Sequence, residues 1–274
     1  MGGLISVIAT SLFHQTNAKP YLTSCVPIPL PSTNHTTLEP SSMENKELFI
    51  VGDIHGCYDE MLELLEDAKK STTKKLTVVF VGDLVNKGPK NKEVLDYVMS
   101  SEAYSVRGNH DEAVVYQCLS HKNDTDYEIP ARYEWIKELS EENISYLQEL
   151  PYTITIPSHN VIVVHAGLLP GTPLEKQKLK DMVLMRNIIN RDHFEGGPYA
   201  TSSSGGRPWV MHWAGKEQIY FGHDAIRGLQ RSEYATGLDT GCVYGFCLTG
   251  VFVNQKGEVE RMLKVKAKMA YKQV

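Results

Sequence analysis

The feature that most constrains the fold of this 274-residue chain is a repeated pattern, in which a short apolar run ends in a small residue and a polar residue. Runs of this length and composition predict buried β-strands. Residues 58–70 and 91–100 separate the first three runs and have the apolar spacing of amphipathic helices. The first half of the chain therefore predicts a β-α-β-α-β arrangement around a mostly parallel sheet, that is, an α/β fold. The runs end at Gly52-Asp53, Gly82-Asp83, Gly108-Asn109, His165-Ala166 and Gly222-His223.

Weaker patterns predict the rest of the folded part. Ser140 is a favourable N-cap for a helix over residues 141–150. A second helix is expected over 181–190, and the Gly-, Ser- and Pro-rich residues 192–215 predict a long functional loop. Residues 245–265 alternate in short strand-like runs, and we expect them to complete a second sheet.

The N-terminal segment differs in composition from the remainder. Residues 1–45 are rich in Ser, Thr, Pro and Asn, so we expect a flexible tail or targeting segment before a catalytic domain over 46–274. Gly2 with Ser6 fits a short N-myristoylation pattern. The apolar residues 4–13 are alternatively a weak signal segment, because no basic residues precede them.

Composition restricts the possible cellular compartments and binding partners. The net charge of −5 gives no indication of a general nucleic-acid-binding surface. No apolar run reaches the ~20 residues of a transmembrane helix. The five cysteines are too few, and odd in number, for a disulfide scaffold, and we interpret Cys242 and Cys247 as small buried residues. A reducing, cytoplasmic location is the expectation.

The polar residues at the strand ends predict a dinuclear metal site. In α/β sheets, ligands bind at the carboxyl ends of the strands, so these side chains are expected to converge. Carboxylate, imidazole and amide donors suit two divalent ions such as Mn, Fe, Zn or Co, and paired ions catalyse displacement at phosphorus. We assign Asp53 and His55 to the first ion, Asn109, His165 and His223 to the second, and Asp83 as the bridge between them.

Other polar residues near these motifs have expected roles in catalysis. His110 is the candidate general acid for the leaving group. Arg107 and Lys87 are candidate phosphate ligands, with Arg186 and Arg227 as further candidates. Asp111 and Asp239 are expected to orient the metal-binding histidines. Trp209, Trp213 and Tyr199 are candidates for stacking a nucleobase, although ordinary packing is the favoured interpretation for the tryptophans.

The set of motifs resembles the calcineurin-like metallophosphoesterases, in particular their phosphoprotein-phosphatase branch. The matching segments are GDIHG (52–56), GDLVNKGP (82–89), GNHD (108–111), HAG (165–167) and GH (222–223). The resemblance implies a central two-sheet β-sandwich flanked by helices. It also implies the same six ligands, with His110 as the acid.

One departure from that branch bears on the substrate. Serine/threonine phosphatases carry Asp-Arg where this chain has Asn86-Lys87, so the partner of the catalytic His110 is a neutral amide. Together with residues 238–242 and 248–249, this motif resembles the diadenosine tetraphosphatase (ApaH) group and its eukaryotic ApaH-like relatives. That resemblance implies hydrolysis of phosphoanhydride bonds in dinucleoside polyphosphates, capped RNA 5′ ends or polyphosphate. A serine/threonine protein phosphatase is the alternative. A non-catalytic scaffold is disfavoured because all six ligands and the acid are present.

Overall fold

The computed structural model describes residues 28–189, 199–201 and 205–273, which contain fourteen strands and five α-helices. The strands are β1 His35–Thr37, β2 Lys46–Val51, β3 Lys75–Phe80, β4 Tyr104–Ser105, β5 Thr153–Ile156, β6 Val161–Val164, β7 Asn187–Ile189, β8 Tyr199–Thr201, β9 Arg207–Pro208, β10 Gln218–Phe221, β11 Gln230–Arg231, β12 Ala235–Gly237, β13 Cys247–Val253 and β14 Val259–Lys266. The α-helices are α1 Tyr58–Lys70, α2 Asn91–Ser100, α3 Asn109–Asn123, α4 Glu141–Glu149 and α5 Leu179–Leu184. Single 3₁₀ turns or short 3₁₀ helices lie at Pro40–Met43, Ala131–Glu138, Pro157–His159, Leu174–Lys176, Trp209–Met211 and Cys242–Tyr244.

The strands form a two-sheet sandwich with a small third sheet. One sheet has the order β14-β13-β2-β3-β4, and the other has the order β1-β5-β6-β10-β12-β11. Strands β2, β3 and β4 are parallel, as are β6, β10 and β12. Strands β7, β8 and β9 form the third sheet. The predicted sandwich with flanking helices is confirmed.

Alternating side chains divide the apolar core into layers. In β2, Leu48 and Ile50 face the other sheet, where they pack in a cluster with Val163 of β6 and Tyr220 of β10. The intervening Phe49 lies in a second cluster, which the buried faces of helices α1 to α4 cover. Both faces of β2 are thus buried. This explains why β2 is an uninterrupted apolar run in the sequence, although its side chains alternate between the two faces.

Local sequence accounts for the helices that the patterns predict correctly. Helices α1 and α2 have the bounds expected from their apolar spacing. Helix α4 begins after Ser140, whose hydroxyl accepts a hydrogen bond from the Asn143 N–H at 3.2 Å. The Asn143 side chain accepts in return from the Ser140 N–H at 3.0 Å. This reciprocal pair satisfies two of the N–H groups that a helix start leaves without partners.

Two expected elements differ in the structure. Helix α5 ends at Leu184, and residues 187–189 form strand β7. The helix predicted over 181–190 is therefore confirmed over 181–184 and wrong over 187–189, because β7 pairs with β8 and β9 in a tertiary contact that local spacing does not reveal. Residues 245–265 contribute β13 and β14, but β13 pairs antiparallel with β2. They extend the first sheet and do not complete a second one.

The N-terminal boundary lies earlier than the composition suggests. Strand β1 pairs in parallel with β5, and the Leu38 N–H donates to the carbonyl of Thr155 at 2.9 Å. Leu38 and Met43 are buried between the two sheets. Residues 35–43 thus belong to the folded domain, contrary to the expected tail through residue 45. The candidate myristoylation site at Gly2 and the candidate signal segment lie outside the described residues.

Within the described ranges, no helix has both the length and the apolar character needed to cross a bilayer.

Candidate metal centre

The polar residues predicted to converge do lie together at one end of the sandwich. Asp53 follows β2, Asp83 follows β3 and Asn109 follows β4 in the first sheet. His165 follows β6 and His223 follows β10 in the second sheet. Each side chain thus leaves the carboxyl end of a parallel strand, where loops from both sheets meet.

Asp83 lies at the centre of the cluster. One ligand atom each of His55, Asp83 and His110 lies within 4.8 Å of the others, and the same holds for Asp53, Asp83 and His165. Asp83 Oδ2 is 3.4 Å from His55 Nε2, and its Oδ1 is 3.5 Å from His165 Nε2. The two carboxylate oxygens therefore face two different groups of donors, which is the geometry of a bridging ligand.

The second group has the donor arrangement of a cation site. His165 Nδ1 lies 2.9 Å from the Val81 carbonyl, which only accepts, so Nδ1 carries the proton and Nε2 has a free lone pair. Burial lowers the pKa of His165 to about 4, which keeps the ring neutral. Its Nε2 nevertheless lies 3.0 Å from Asn109 Oδ1, another acceptor. Two facing lone pairs are stabilised by a positive ion between them. His223 Nδ1 lies 2.9 Å from the same Asn109 oxygen.

The first group is held in a similar way. His55 Nδ1 lies 3.3 Å from the Val85 carbonyl, which directs Nε2 toward Asp83. Burial is the main cause that lowers the pKa of His55, so this imidazole is also neutral and able to bind a metal ion. Lys87 Nζ lies 3.0 Å from His55 Nε2 and above the ring of Tyr244. An ammonium group therefore lies directly beside the first group of donors.

Asp111 and Asp239 have partners other than the histidines that we expected. Asp111 Oδ2 accepts from the N–H groups of Asp83 and Gly108 at 2.9 Å each, and its Oδ1 accepts from the Val85 N–H at 3.3 Å. It therefore joins the loop after β3 to the start of α3. Asp239 Oδ1 accepts from the Gly241 N–H at 3.1 Å, and the charge of Asp239 acts on the Asp53 carboxyl group. Backbone carbonyls, of Val85 and Val81, orient His55 and His165.

The buried carboxylates repel one another. Burial raises the pKa of Asp53 well above its ordinary value, and the charges of Asp239 and Asp83 raise it further. Burial also raises the pKa of Asp239, and it raises the pKa of Asp83 to about 7. Three acidic groups with perturbed pKa values in one water-poor site are stabilised when cations neutralise them. The residues of this site therefore fit a pair of divalent ions.

Backbone strain is concentrated at the same site. Among the described residues, seven other than glycine have positive φ, and five of them belong to this cluster. These five are His55, Asp83, Asn86, Lys87 and His223. Such conformations cost about 1–3 kcal/mol each and persist where surrounding contacts enforce them, often at functional sites.

Two glycines make the close approach of the ligand loops possible. A Cβ atom on Gly108 would collide with the carboxylate of Asp83, and a Cβ atom on Gly222 would collide with that of Asp53. The Gly222-His223 segment also brings the His223 N–H to 3.1 Å from Asp53 Oδ2. The glycines before these ligands thus provide space for neighbouring ligands.

His110 contacts the amide of Asn86. The Asn86 Nδ2 atom lies 2.8 Å from His110 Nδ1, while Asn86 Oδ1 accepts from the Lys87 N–H at 2.9 Å. This second bond fixes the orientation of the amide, so its NH₂ group donates to Nδ1 and the imidazole proton lies on Nε2. Burial, followed by the charge of Lys87, lowers the pKa of His110 well below its ordinary value. His110 is therefore a neutral imidazole with one N–H available.

The contacts of Arg107 do not fit the expected phosphate clamp. Its side chain is fully buried, and its guanidinium donates to the carbonyls of Pro29 and Gln148. It also lies over the ring of Tyr152, 5.2 Å from the ring centroid. Arg107 thus fixes the N-terminal segment and the end of α4. The sequence places it next to GNHD, but its guanidinium lies with the carbonyls of Pro29 and Gln148.

Arg186 and Arg227 lie beside the site and share a partner that the sequence analysis missed. The buried Asp224 forms ion pairs with both guanidinium groups. Arg186 also donates to the His223 carbonyl at 3.2 Å, and its charge lowers the pKa of both Asp83 and His223. In the sequence, the position of Asp224 directly after the strand-end residue His223 could have indicated that it lies at the site.

The aromatic candidates differ in exposure. Trp209 is 1% exposed and packs against Phe221, so it belongs to the core. Trp213 packs against Trp209 and donates from its indole N–H to the Glu217 carbonyl at 3.1 Å. Tyr199 is 37% exposed. Of the three, Tyr199 is the most exposed, and Trp213 is half-buried.

This combination of a two-sheet sandwich and a buried, bridged carboxylate–imidazole site defines a metal-dependent phosphohydrolase that uses two divalent ions. The chain belongs to the calcineurin-like phosphoesterase family, whose model matches residues 47–240.

Individual proteins similar to this chain include enzymes named for hydrolysis of phosphate chains. The chain is similar to the asymmetrical bis(5′-nucleosyl)-tetraphosphatase PrpE of Bacillus velezensis, with 29% identity over 221 residues that cover 73% of this chain and 86% of that protein. It is 24% identical over 259 residues to the zinc-dependent endopolyphosphatase of Saccharomyces cerevisiae, covering 79% of each protein. A crystal structure whose diadenosine tetraphosphatase assignment is itself provisional superposes with a TM-score of 0.73 and 36% identity, covering 86% of this chain and 98% of that one.

Proposed function

We propose that this enzyme hydrolyses phosphoanhydride bonds, with a dinucleoside tetraphosphate as the first substrate to examine. The observation that carries the proposal is the contact between Asn86 and His110. The names of the relatives, a tetraphosphatase and an endopolyphosphatase, support it, since both describe enzymes that act on phosphate chains.

The chemistry of the leaving group connects this contact to the substrate. A phosphoester of serine releases an alkoxide, which requires strong protonation as the P–O bond breaks. An anhydride releases a phosphate group whose pKa is about 6, so it leaves as an anion with little assistance. A carboxylate beside His110 would stabilise an imidazolium, whereas the neutral Asn86 amide does not. The site is therefore better matched to anhydrides than to alkyl phosphoesters.

Residue roles follow from the positions of the donors. We propose Asp53 and His55 as ligands of one ion, Asn109, His165 and His223 as ligands of the other, and Asp83 as the bridge. The two ions supply a hydroxide nucleophile and neutralise the phosphate when bound. The Nε2–H of the neutral His110 would donate a hydrogen bond to the departing oxygen.

Two cations of the chain are suited to bind the substrate phosphates. Lys87 lies beside His55, and Arg186 lies beside His223, so they flank the site from opposite sides. Their charges match a substrate with several anionic phosphates. Arg227 is held between Asp224 and Asn187, and we assign it to support Arg186.

Product analysis tests the proposal. The metal-loaded protein would be offered diadenosine tetraphosphate, a capped RNA oligomer, inorganic polyphosphate and a phosphoserine peptide, and the products separated by anion-exchange chromatography. We expect turnover of one or more anhydrides, little release of phosphate from the peptide, and no turnover by Asp83→Asn. Preferential hydrolysis of the peptide would identify a protein phosphatase and would contradict the proposal.

We also propose that the enzyme is cytoplasmic. Cys57, Cys118, Cys242 and Cys247 are free thiols, which fits a reducing compartment. Subcellular fractionation with an antibody against the native chain tests this assignment, and recovery in a secreted fraction would overturn it.

A further inference from the structure

A second cluster of potential metal ligands lies outside the dinuclear site. Cys57 precedes helix α1, Glu60 lies in the first turn of that helix, and Cys242 begins the 3₁₀ turn after β12. One ligand atom of each residue lies within 4.8 Å of the other two. The three side chains are 1%, 1% and 2% exposed, respectively. None of them is among the proposed ligands of the dinuclear site.

Glu60 has an oxygen atom without a partner in this cluster. Its Oε1 accepts from the Lys268 N–H at 2.9 Å and from the Tyr271 hydroxyl at 2.8 Å. Its Oε2 is buried and has no hydrogen-bond partner. Buried carboxylate oxygens are nearly always satisfied, and one that is not requires an explanation such as a bound ion.

The two thiols are close enough to interact. The neighbouring Cys57 thiol is the main cause that raises the pKa of the Cys242 thiol, and burial raises it further. The charge of Glu60 also acts on Cys242, so all three groups share one small volume. Two sulfur atoms and one carboxylate oxygen at this separation are a donor set suited to a tetrahedral divalent ion.

We propose that Cys57, Glu60 and Cys242 form a third metal site, which binds a soft divalent cation such as Zn²⁺. Binding releases the two thiol protons, so that two thiolates and one carboxylate surround the ion and no oxidation or reduction occurs. Thiolate donors favour zinc over manganese or magnesium. Three protein ligands are fewer than the four of a closed structural zinc site, so the ion is expected to be exchangeable.

The position of this site gives it a structural consequence. His55 lies two residues before Cys57, and Asp239 lies three residues before Cys242. The C-terminal segment also reaches the cluster, because the Tyr271 N–H donates to the Val243 carbonyl at 3.0 Å. An ion bound here would connect two loops of the dinuclear site with the C-terminal segment.

The experiment uses sulfur as a specific reporter. The ligands proposed for the dinuclear site provide only nitrogen and oxygen, so thiolate-to-metal charge-transfer absorption on adding Co²⁺ reports the third site alone. The full chain would be reduced, freed of metal and titrated with Co²⁺, beside the variants Cys57→Ser, Cys242→Ser and Glu60→Gln. Cys118→Ser is the matched control, because Cys118 is a buried thiol of helix α3 outside the cluster.

The expected results are specific to each variant. The wild type and Cys118→Ser should develop the sulfur band, Cys57→Ser and Cys242→Ser should lose it, and Glu60→Gln should bind Co²⁺ at least about tenfold more weakly. A wild-type protein without the band, or a band that persists in both cysteine variants, would overturn the proposal. So would a Cys57–Cys242 disulfide found in the native protein by peptide mass mapping.

A measurement on the wild type alone covers the case in which the variants fail to fold. Zinc X-ray absorption of the protein loaded with three equivalents should detect sulfur neighbours of the metal. A spectrum with only nitrogen and oxygen neighbours would refute the third site while leaving the proposed phosphohydrolase function intact.

Discussion

The Asn86 side-chain amide donates to Nδ1 of His110 across 2.8 Å, and the Lys87 N–H fixes the amide in that orientation. Burial, followed by the charge of Lys87, keeps this imidazole neutral, and the Asn86 amide adds no negative charge that would oppose them. The neutral state of His110 is the feature of the site that bears most directly on leaving-group preference.

Replacing Asn86 with Asp should shift the enzyme toward phosphoesters. A carboxylate at this position raises the pKa of His110 and strengthens its action as a general acid. We expect the ratio of kcat/KM for a phosphoserine peptide to kcat/KM for diadenosine tetraphosphate to rise by at least about tenfold. Asn86→Ala is the control, and it should lower both values without raising the ratio. An unchanged ratio in Asn86→Asp would show that this contact does not select the leaving group.

Asp111 should stabilise the site through the backbone. Its carboxylate accepts from three N–H groups, so Asp111→Asn places an NH₂ group against buried donors. We expect the free energy of unfolding in urea to fall by about 2–4 kcal/mol. The exposed control Glu63→Gln should change it by less than about 0.5 kcal/mol. Equal stability of Asp111→Asn and the wild type would contradict the role.

Gly222→Ala should disrupt metal binding more than it disrupts folding. The new Cβ atom collides with the Asp53 carboxylate and must displace it. Metal content after dialysis, measured by mass spectrometry, should show at least about tenfold weaker binding of one ion. Gly171→Ala is the comparison, since open space surrounds Gly171 while its φ of +71° disfavours alanine. That variant should lose some stability and retain both metals.

Lys87 and Arg107 should respond differently to removal of their charge. Lys87→Met should raise KM for an anionic substrate by about tenfold or more, because a charged hydrogen-bond donor beside the metals is lost. Arg107→Met should leave KM unchanged and lower the free energy of unfolding by about 2–4 kcal/mol, because buried carbonyls lose their donor. Steady-state kinetics and urea unfolding measure the two effects. A raised KM in Arg107→Met at full stability would restore the phosphate role that the sequence suggested for Arg107.

Asp83 should contribute less to the stability of the metal-free protein as pH rises. Since burial raises the pKa of Asp83 to about 7, the folded chain keeps a proton on this group between about pH 4 and pH 7 that the unfolded chain has already released. The contribution of Asp83 to the free energy of unfolding therefore falls through this window, whereas the lowered pKa values of His55 and His165 act in the opposite direction. The difference in Tm between the wild type and Asp83→Asn in a chelator isolates the Asp83 contribution, and we expect it to shift against the wild type from about pH 5 to about pH 7.5. Saturating Mn²⁺ should shift it back, because the metal requires the ionised carboxylate. A difference that does not change with pH would show that Asp83 does not cause the effect.

The sequence by itself determined the strand ends and the residue types that follow them. Apolar runs indicate burial, and a small residue beside a polar one at the end of a run indicates a turn, so the strands that end before Gly52, His165 and Gly222 were located without tertiary information. Helices α1 and α2 were predicted at their observed bounds because their apolar spacing depends on local geometry. The residues that follow the apolar runs also include the polar residues that the two sheets bring together.

Tertiary structure decided what local sequence cannot encode. Strand β13 pairs with β2, more than 190 residues away along the chain, and this pairing placed residues 245–265 in the first sheet. The direction of a side chain depends on the groups that the fold places around it. For this reason Arg107 is buried against distant carbonyls although it adjoins a ligand motif. Asp111 accepts from backbone N–H groups, and backbone carbonyls orient His55 and His165, because only the folded loops bring those groups together. The polar composition of residues 35–43 resembles that of a flexible tail, because composition reflects only the average exposure of a segment. These residues are nevertheless folded, because β1 pairs with β5.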